Sequence, residues 1–431
     1  MNFLFAMYQG GGNIPLIAPV ARRLVERGHR VRVLAGPGIF RVSLPVSRGM
    51  VDRLRGLGCE LATFEAPQVN PYDSAEAPKG ATLHWTPRVM AREARVAQFS
   101  LWSSSWVRNV SQEIERGRPN AVVADFRLLG ALAAAEAAGV PSAALVHNIP
   151  PPLAGGAMPP ASQGFMPARD SREALRYAKW RAVVQRIYAR EGLRFHNKAR
   201  GEVGLAPLPQ LYAQYSTAGR VLMLVSKAFD FDGDVPANTR YVGTPLDDAA
   251  AAGTWTPPWP GGDTRPLLLI SLSTLAQGQA PLLKRVIEAA RELPLRVVVT
   301  LGPSMKRDEF TAPVNTVFET FVPHSAVLPH CAAVVTQCGL GALIKTLRHG
   351  VPVVCVPIAG DQPDNAARAV RRGAGVRLTS DATVEEIRHA IRSVVETERY
   401  TINARNLGGV LALDDGASNA ADELEALAAE R

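Results

Sequence analysis

A strand–loop–helix–strand pattern between residues 332 and 356 constrains the fold of this chain more than any other feature. The hydrophobic run Ala332–Val335 leads into the small-residue loop Thr336-Gln-Cys-Gly-Leu-Gly, and the pattern turns helical over Ala342–Leu347. Gly350 ends this helix, and the apolar run Val351–Val356 predicts a buried strand. Because the first turn of a helix offers free N–H groups and the positive end of the helix dipole, the loop predicts an anion site at a sheet edge.

A polar pair, Asp361 and Gln362, follows the second of these strands. Ligands of open α/β sheets bind outside the carboxyl ends of the strands, so we expect the pair and the loop at one edge. A carboxylate and an amide can bridge adjacent hydroxyl groups, whereas a solvated loop or a helix cap is the plainer explanation of the pair. A ligand that offers a diphosphate to the helix and hydroxyl groups to the polar pair would be a sugar nucleotide.

Alternation of strands and helices runs through both halves of the chain. It predicts parallel sheets with right-handed crossovers, and 431 residues exceed a single ordinary core. We therefore predict two Rossmann-like domains joined by a linker over Asp247–Thr264, which is rich in Ala, Pro, Gly and Trp. The predicted strands are Phe3–Tyr8, Val31–Leu34, Ala121–Ala124 and Ser142–Val146, then Pro266–Leu272, Arg296–Leu301, Ala332–Val335 and Val351–Val356.

These motifs and their order resemble those of the nucleotide-sugar glycosyltransferases of GT-B fold, and among them the bacterial antibiotic and macrolide type. The resemblance extends over almost the whole chain. It rests on Gly12-Asn-Ile-Pro15, Arg27-Gly-His-Arg-Val31, Asp125, Asn238-Thr-Arg-Tyr-Val-Gly243, Ile270-Ser-Leu-Ser-Thr274, Phe321-Val-Pro-His324 and the block from Thr336 to Asn365.

The resemblance implies two Rossmann-like parallel-sheet domains that face each other across a cleft. An acceptor-binding domain would span residues 1–246, a linker 247–264, and a nucleotide-sugar-binding domain 265–400. A C-terminal helical segment over 401–431 would cross back onto the first domain.

The resemblance also implies an inverting, metal-independent transfer of a sugar from a dTDP- or UDP-sugar to a small apolar natural-product acceptor. No cofactor is implied beyond the nucleotide-sugar co-substrate. The acceptor would contact Gly12, Asn13 and His84. Of the donor-binding residues, Ser273 has a helix N-cap as its plainer role, and Phe321 would either stack on the nucleobase or fill the core. The full donor set is Ser273, Thr274, Phe321, Val322, Gln337, Gly339, Leu340, Gly341, Ala342, Asp361 and Gln362.

Three positions depart from the pattern of the family. Asn13 replaces the histidine that deprotonates the acceptor, Gln337 replaces a histidine at the diphosphate, and Ala342 replaces a serine or threonine. An amide has no proton affinity near neutral pH, so Asn13 cannot be the catalytic base.

The proton acceptor must then be sought elsewhere at the same sheet edge. Asp125 ends one predicted strand and is the first candidate, acting directly or through water, and His147 ends the next strand and is the second. His84 lies in a loop and is more simply a surface histidine. The sequence leaves open an acidic or amine acceptor that needs little help, and a catalytically silent homologue that acts as an auxiliary or ligand-binding partner. An epimerase of the same two-domain design would need acid–base groups for which there is no pattern.

Charge and motifs argue against several other functions. The net charge of +9, from 48 basic and 39 acidic residues, is scattered and lacks an aromatic–basic recognition motif, so no nucleic-acid partner is predicted. The pattern Gly10-x-Gly12-x-x-Pro15 lacks the third glycine of a dinucleotide fingerprint. Asp230-Phe-Asp232 matches a metal-binding triplet, but its setting predicts a solvated loop, and we predict no required metal.

The remaining features concern location and surfaces. Four cysteines without metal-ligand spacing, and the lack of a signal peptide or of about 18 consecutive apolar residues, predict a cytoplasmic protein without an integral membrane segment. The basic segment Arg172–Arg200 is predicted to be a helix that packs over its own domain, with a membrane surface as the alternative. The Pro- and Gly-rich stretch Pro150–Pro167 is predicted to be a loop, and a homodimer stays open.

Overall fold

Two parallel sheets organise the chain, one in its N-terminal half and one in its C-terminal half. The computed structural model describes residues 1–9, 12–36, 49, 52–65, 100–149, 154–246, 253–260, 262–272, 278–302 and 305–430. The predicted α/β architecture of two Rossmann-like parallel sheets is thereby confirmed.

The first sheet is built from strands that are mostly buried. They are β1 Asn2–Tyr8, β2 Arg30–Gly36, β3 Glu60–Ala62, β4 Ala121–Asp125, β5 Ser142–Val146, β6 Arg220–Met223 and β7 Thr239–Tyr241. Their order is β3-β2-β1-β4-β5-β6-β7, and every neighbouring pair is parallel. Strands β4 and β5 are buried along their full length, as expected for apolar runs in a sheet covered on both faces.

The N-terminal half has helices α1 Ile14–Glu26, α2 Ser103–Gly117, α3 Leu129–Ala137, α4 Ser171–Tyr188 and α5 Arg194–Gly201 among its described residues. Helix α1 carries Pro15 in its first turn, where no N–H is needed, and buries Leu16, Ile17, Val20 and Leu24 on one face. The predicted helix Arg172–Arg200 is confirmed as α4 and α5, which a π-helical turn over Ala189–Leu193 joins.

The second sheet repeats this design. Its strands are β8 Leu267–Ser271, β9 Arg296–Thr300, β10 Thr316–Glu319, β11 Cys331–Thr336, β12 Val353–Cys355 and β13 Gly375–Arg377. They are parallel in the order β10-β9-β8-β11-β12-β13. The helices are α6 Ala280–Arg291, α7 His324–Val327, α8 Leu340–Arg348, α9 Gln362–Arg371, α10 Val384–Glu396, α11 Glu398–Ala412 and α12 Gly416–Ala429.

The last helix, α12, packs on α1 of the N-terminal half, in the direction that the resemblance implies. Arg27 forms ion pairs with Asp422 at 2.7 Å and Glu425 at 2.8 Å, and the His29 ring contacts Glu425 at 2.6 Å. The described residues of the predicted linker, 253–260 and 262–264, form no helix or strand, and the domain boundaries at 246, 264 and 400 stay predictions.

Helix α4 is more exposed than the sequence predicts. Of its 18 residues only Tyr177 is buried, whereas Leu175 and Val183 are 56% and 44% exposed. The expected packing of the apolar side over its own domain is therefore wrong at these two positions. None of the described helices is long and apolar enough to cross a membrane.

The predicted solvated loop Asp230-Phe-Asp232 is also wrong for two of its three residues. Asp232 is exposed, but Asp230 and Phe231 are buried. Asp230 pairs with Arg368 of α9 at 2.7 Å and accepts a hydrogen bond from the Tyr241 hydroxyl at 2.7 Å. The carboxylate is buried because its cation comes from the other half of the chain, which no local pattern reveals.

Candidate active site

Three predicted catalytic side chains meet at the carboxyl edge of the first sheet. Asp125 ends β4, His147 follows β5, and Asn13 lies just before α1; all three are buried. The Oδ2 atom of Asp125 accepts from Asn13 Nδ2 at 3.0 Å and lies 3.1 Å from His147 Nε2. Its Oδ1 atom accepts from the backbone N–H of Arg127 at 3.1 Å. The carboxylate is therefore the centre of this group.

The amide of Asn13 has only one orientation that satisfies its neighbours. Its Nδ2 donates to the Tyr8 carbonyl at 3.0 Å as well as to Asp125. Because both neighbours are acceptors, the nitrogen must face them and Oδ1 must face away. That oxygen is buried and has no hydrogen-bond partner among the described residues. An acceptor O–H or N–H group is what this oxygen can bind.

The proton positions on His147 follow from its second neighbour. In the amide orientation that satisfies both ends, Asn148 donates to His147 Nδ1 at 3.0 Å and accepts from Arg127 Nη2 at 3.2 Å. Nδ1 is then an acceptor, so Nε2 carries the proton and donates to Asp125. This arrangement makes His147 an orienting donor and leaves Asp125 as the better candidate base.

An aromatic cluster lies beside Asp125. Phe126 meets the His147 ring edge-on at 5.0 Å, and its carbonyl accepts from the Tyr215 hydroxyl at 2.5 Å. Tyr212 packs against Tyr215 and, edge-on at 5.5 Å, against Tyr188 at the end of α4. Burial raises the pKa of Tyr212 and of Tyr215 well above its ordinary value, so both phenols stay protonated.

In the C-terminal half, the predicted anion loop joins β11 to α8. Cys338, rather than a glycine, takes the left-handed conformation, with φ +69°. Its N–H donates to Thr336 Oγ1 at 3.1 Å and its carbonyl accepts from Asn365 Nδ2 at 2.9 Å, which holds the strained turn. The first-turn N–H groups of α8 have no acceptor within the helix, as an anion site requires.

Gln337, Gly339, Leu340, Gly341 and Ala342 line this turn. The Gln337 side chain is 9% exposed, and its Oε1 has no partner among the described residues. Gly339 is the N-cap of α8, and the other three begin the helix. The five residues that the sequence predicts for the diphosphate therefore lie together.

The polar pair lies at the start of α9. Asp361 Oδ2 accepts from Asn365 Nδ2 at 2.9 Å, and Asp361 remains partly exposed. Gln362 is buried, and its Oε1 accepts from the N–H groups of Ile358 and Ala359 at 2.8 and 2.9 Å. The Gln362 oxygen is therefore engaged by its own loop, and Asp361 is the stronger ligand candidate.

Asn365 is a residue to which the sequence analysis gave no role. It joins Asp361 to the Cys338 carbonyl, and thus ties the sugar end of the site to the diphosphate turn. Its position one helical turn after Asp361 was the available signal, because residues four apart share a helix face.

The group around Asp125 and the predicted diphosphate turn lie next to helices that contact each other. A Cβ atom built on Gly341 would lie 3.6 Å from Leu16 Cδ2, so the first turn of α8 packs against the first turn of α1. Asn13 immediately precedes α1, and the predicted diphosphate turn immediately precedes α8. Proton removal and phosphate departure could therefore occur in one cleft.

The remaining predicted residues differ in how they are placed. Phe321 is 74% exposed, which rules out the core alternative, and Val322 is 3% exposed. Nearby, His324 Nε2 lies 3.3 Å from Ser271 Oγ, and burial together with Lys345 lowers the pKa of His324 to about 4. Gly12 is exposed beside Asn13. His84, Ser273 and Thr274 lie outside the described residues. No group of three metal-binding side chains occurs within the described ranges.

Comparison with known proteins identifies the class. Residues 284–427 match the family described as erythromycin biosynthesis protein CIII-like, C-terminal domain. The chain is 26% identical to 4'-demethylrebeccamycin synthase of Lentzea aerocolonigenes, over 98% of this chain and 99% of that protein. It is 25% identical to the oleandomycin glycosyltransferase of Streptomyces antibioticus, over 96% and 88%. The crystal structure of the glycosyltransferase VinC in complex with dTDP matches 100% of both chains, with a TM-score of 0.72 at 17% identity.

The chain therefore has the GT-B fold and is a homologue of antibiotic glycosyltransferases, as its motifs imply. The predicted enzyme class, a glycosyltransferase, is confirmed by these homologues.

Proposed function

We propose that this protein transfers a sugar from a dTDP- or UDP-sugar to a small apolar natural-product acceptor, with inversion and without a metal. The observation that carries the proposal is the hydrogen-bonded group of Asn13, Asp125 and His147 beside the helix start that would hold the diphosphate. The dTDP bound to VinC and the names of the homologues support the donor class and the acceptor class.

The step is an in-line displacement at the anomeric carbon. The acceptor oxygen or nitrogen forms the new bond to this carbon while the bond to the diphosphate oxygen breaks and its electron pair leaves with the diphosphate. The acceptor proton passes to Asp125, directly or through water. The first-turn N–H groups of α8 and the helix dipole stabilise the developing diphosphate charge. When the proton passes through water, that water donates one hydrogen bond to Asp125 and the other to Asn13 Oδ1, which thereby orients it.

On the donor side, Asp361 would bind sugar hydroxyls, with Gln362 beside it. Phe321 would stack on the nucleobase, since its ring is exposed, and the backbone of Val322 would pair with the base edge. Gln337 would donate one neutral hydrogen bond where the family has a histidine. Ser273 and Thr274 remain expected phosphate contacts.

Calorimetry with dTDP and with UDP in the presence of EDTA tests the donor class. We expect one of the two to bind without a metal, and binding of neither by folded protein would contradict the proposal. Product analysis with nucleotide sugars and a panel of phenols, amines and macrolides tests the transfer. The anomeric configuration of the product, determined by NMR, tests inversion.

A catalytically silent homologue is the second candidate, and the substitutions at Asn13, Gln337 and Ala342 favour it. Such a protein would bind the nucleotide but neither hydrolyse the donor nor transfer its sugar. Detectable hydrolysis or transfer would therefore exclude it.

A further inference from the structure

A well-anchored segment, residues 154–170, connects the two halves of the candidate active site; we term it the strap. It precedes α4 in the N-terminal half, and its far side rests on α9, the helix that begins with the polar pair. The sequence predicts only a loop here. In the structure, contacts with α9 on one side and with α4 on the other hold this loop in position.

On the side of α9, the strap is held by the carboxylate of Asp364. Its Oδ1 accepts from the N–H of Gly164 at 2.8 Å, and its Oδ2 accepts from the N–H of Ser162. Asp364 is 2% exposed. Arg377 of β13 adds a hydrogen bond from Nη1 to the Gly164 carbonyl at 2.5 Å. A carboxylate whose two oxygens both accept from one backbone segment fixes that segment most strongly when it is ionised, which for Asp364 means above a pH of about 7.

A second contact lies further along α9. The sulfur of Met158 is 3.6 Å from Arg368 Nη2, and Met158 packs with Phe231 and Ala367 in a small buried cluster. Phe231 belongs to the N-terminal half and Ala367 to α9, so the strap is enclosed between the two halves.

On its other side, the strap is bound to α4. The Tyr177 hydroxyl donates to the Met166 carbonyl at 2.8 Å, and Arg181 Nη1 donates to the Met158 carbonyl at 2.6 Å. The Phe165 ring stacks on Tyr177 with a centroid distance of 5.2 Å. The strap therefore moves with α4.

Each of the two helices has one end beside a part of the candidate active site. Helix α9 starts at Gln362, next to Asp361. Helix α4 ends at Tyr188, which packs on Tyr212 and, through Tyr215, reaches the carbonyl of Phe126 beside Asp125. The strap thus connects the sugar end of the donor site to the aromatic cluster beside the candidate base.

We propose that Asp364 is a positioning residue for sugar transfer, because it pins the strap to α9 and so holds the acceptor in line with the donor sugar. The inference rests on the proposed function. It predicts that release of the strap leaves nucleotide binding intact. The acceptor then loses its alignment, and water competes better for the donor sugar.

The test compares three variants of the full chain. Asp364→Ala removes both acceptors from the α9 side. Gly164→Ala acts from the strap side, because φ is +62° and a Cβ would lie 2.6 Å from Arg377 Nη1 and 2.8 Å from the Pro363 carbonyl. Ser162→Gly is the matched control, because it keeps the N–H that Asp364 binds and suits φ +62°.

The first readout needs no activity: chymotrypsin cleavage after Phe165, followed by mass spectrometry. We expect Asp364→Ala and Gly164→Ala to be cleaved about 10-fold faster or more, as for a segment that loses hydrogen bonds to a carboxylate. Ser162→Gly should match the wild type. If both disrupting variants are folded and cleaved at the wild-type rate, the strap is not pinned and the proposal is wrong.

The second readout is the fate of the donor. In the disrupting variants we expect kcat/KM for the acceptor to fall about 10–100-fold, as for a small misplacement of reacting groups. The share of donor hydrolysed should rise, and dTDP or UDP affinity should stay unchanged. Equal loss of hydrolysis, transfer and nucleotide affinity would mean a merely structural role. If the wild type transfers no sugar, the proposed function fails, and the cleavage rates alone decide whether Asp364 pins the strap.

Should Asp364→Ala fail to fold, Gly164→Ala decides the outcome by the same two readouts.

Discussion

At the scale of single residues, the N-terminal half of the cleft is organised around the Asp125 carboxylate. Asn13, His147 and the Arg127 N–H all donate to it, so its charge is balanced by three hydrogen bonds. The family histidine would stand between this carboxylate and the acceptor. With asparagine in its place, we propose that the Asp125 carboxylate accepts the proton and that the Asn13 amide oxygen orients the group that carries it.

Asp125→Asn is the first variant that tests this arrangement. We expect turnover to fall by about 10²–10⁴-fold, the range for loss of a general base. Nucleotide affinity should barely change, because the proposed donor-binding residues belong to the other half. Steady-state kinetics and the melting temperature should be measured on the same protein. A lower melting temperature with full activity would mean that Asp125 serves only its hydrogen bond with the Arg127 N–H.

Two further variants complete this comparison. Asn13→His restores the family residue next to Asp125, so activity should persist or rise. His147→Ala should reduce turnover less than Asp125→Asn, since His147 only orients the carboxylate. An inactive His147→Ala beside an active Asp125→Asn would reverse the assignment of the base.

Asp361 and Gln362 should respond differently to replacement by alanine. Asp361→Ala should weaken binding of the nucleotide sugar but not of the bare nucleotide, because we propose that its partly exposed carboxylate binds sugar hydroxyls. Gln362→Ala should also lower the melting temperature, because it leaves the Ile358 and Ala359 N–H groups without their acceptor. Calorimetry with nucleotide and nucleotide sugar checks the first expectation. Equal losses for both ligands would contradict it.

At the scale of elements, the sequence predicts regular structure well and loops poorly. The strands were predictable because an apolar run that follows a helix-ending glycine indicates a buried strand, as after Gly350. The strained turn was not assigned to Cys338, because a left-handed cysteine depends on Thr336 and Asn365 holding it. The strap was not foreseen either, since its partners Asp364 and Arg377 follow it by about 200 residues in the sequence.

Helix α9 should make stability depend on pH through Asp364. Burial raises the pKa of Asp364 to about 7, and the nearby Asp361 carboxylate adds to this increase. Arg368 and the N–H groups of Ser162 and Gly164 act in the opposite direction and lower the pKa. The folded protein therefore holds a proton that the unfolded chain releases above its ordinary pKa of 3.8. The resulting stabilisation is complete below that pH and is lost as the pH rises through about 7.

Asp364→Asn isolates this contribution, because the variant does not titrate at the site while the other groups stay the same. The free energy of unfolding of the wild type, minus that of Asp364→Asn, should fall between pH 5 and 7 by up to about 1.4 kcal/mol per pH unit. Urea unfolding at several pH values measures it. A difference that is constant or rises with pH would show that the hydrogen bonds outweigh burial.

At the scale of the whole molecule, the two halves are joined by buried polar contacts rather than by the linker alone. Asp230 of the N-terminal half and Arg368 of α9 are 1% exposed each and pair at 2.7 Å. Arg368 also lies over the Phe231 ring at 4.3 Å. The sequence could not predict this pair, because its members are 138 residues apart and each looks like a surface residue in its own segment. The pair is therefore a buried link between the two halves.

Arg368→Ala should destabilise the protein far more than the loss of a surface ion pair does. It leaves the Asp230 carboxylate buried without its cation, which costs about 3–5 kcal/mol in the free energy of unfolding. Arg27→Ala is the matched control, because Arg27 pairs with Asp422 and Glu425, which are 62% and 29% exposed, and each such surface pair contributes about 0–1 kcal/mol. The double variant Asp230→Leu with Arg368→Met should recover most of the loss, since it removes both charges and keeps apolar volume. Urea unfolding of the four proteins measures these differences. If Arg368→Ala is no less stable than Arg27→Ala, the ion pair is not a buried link between the halves.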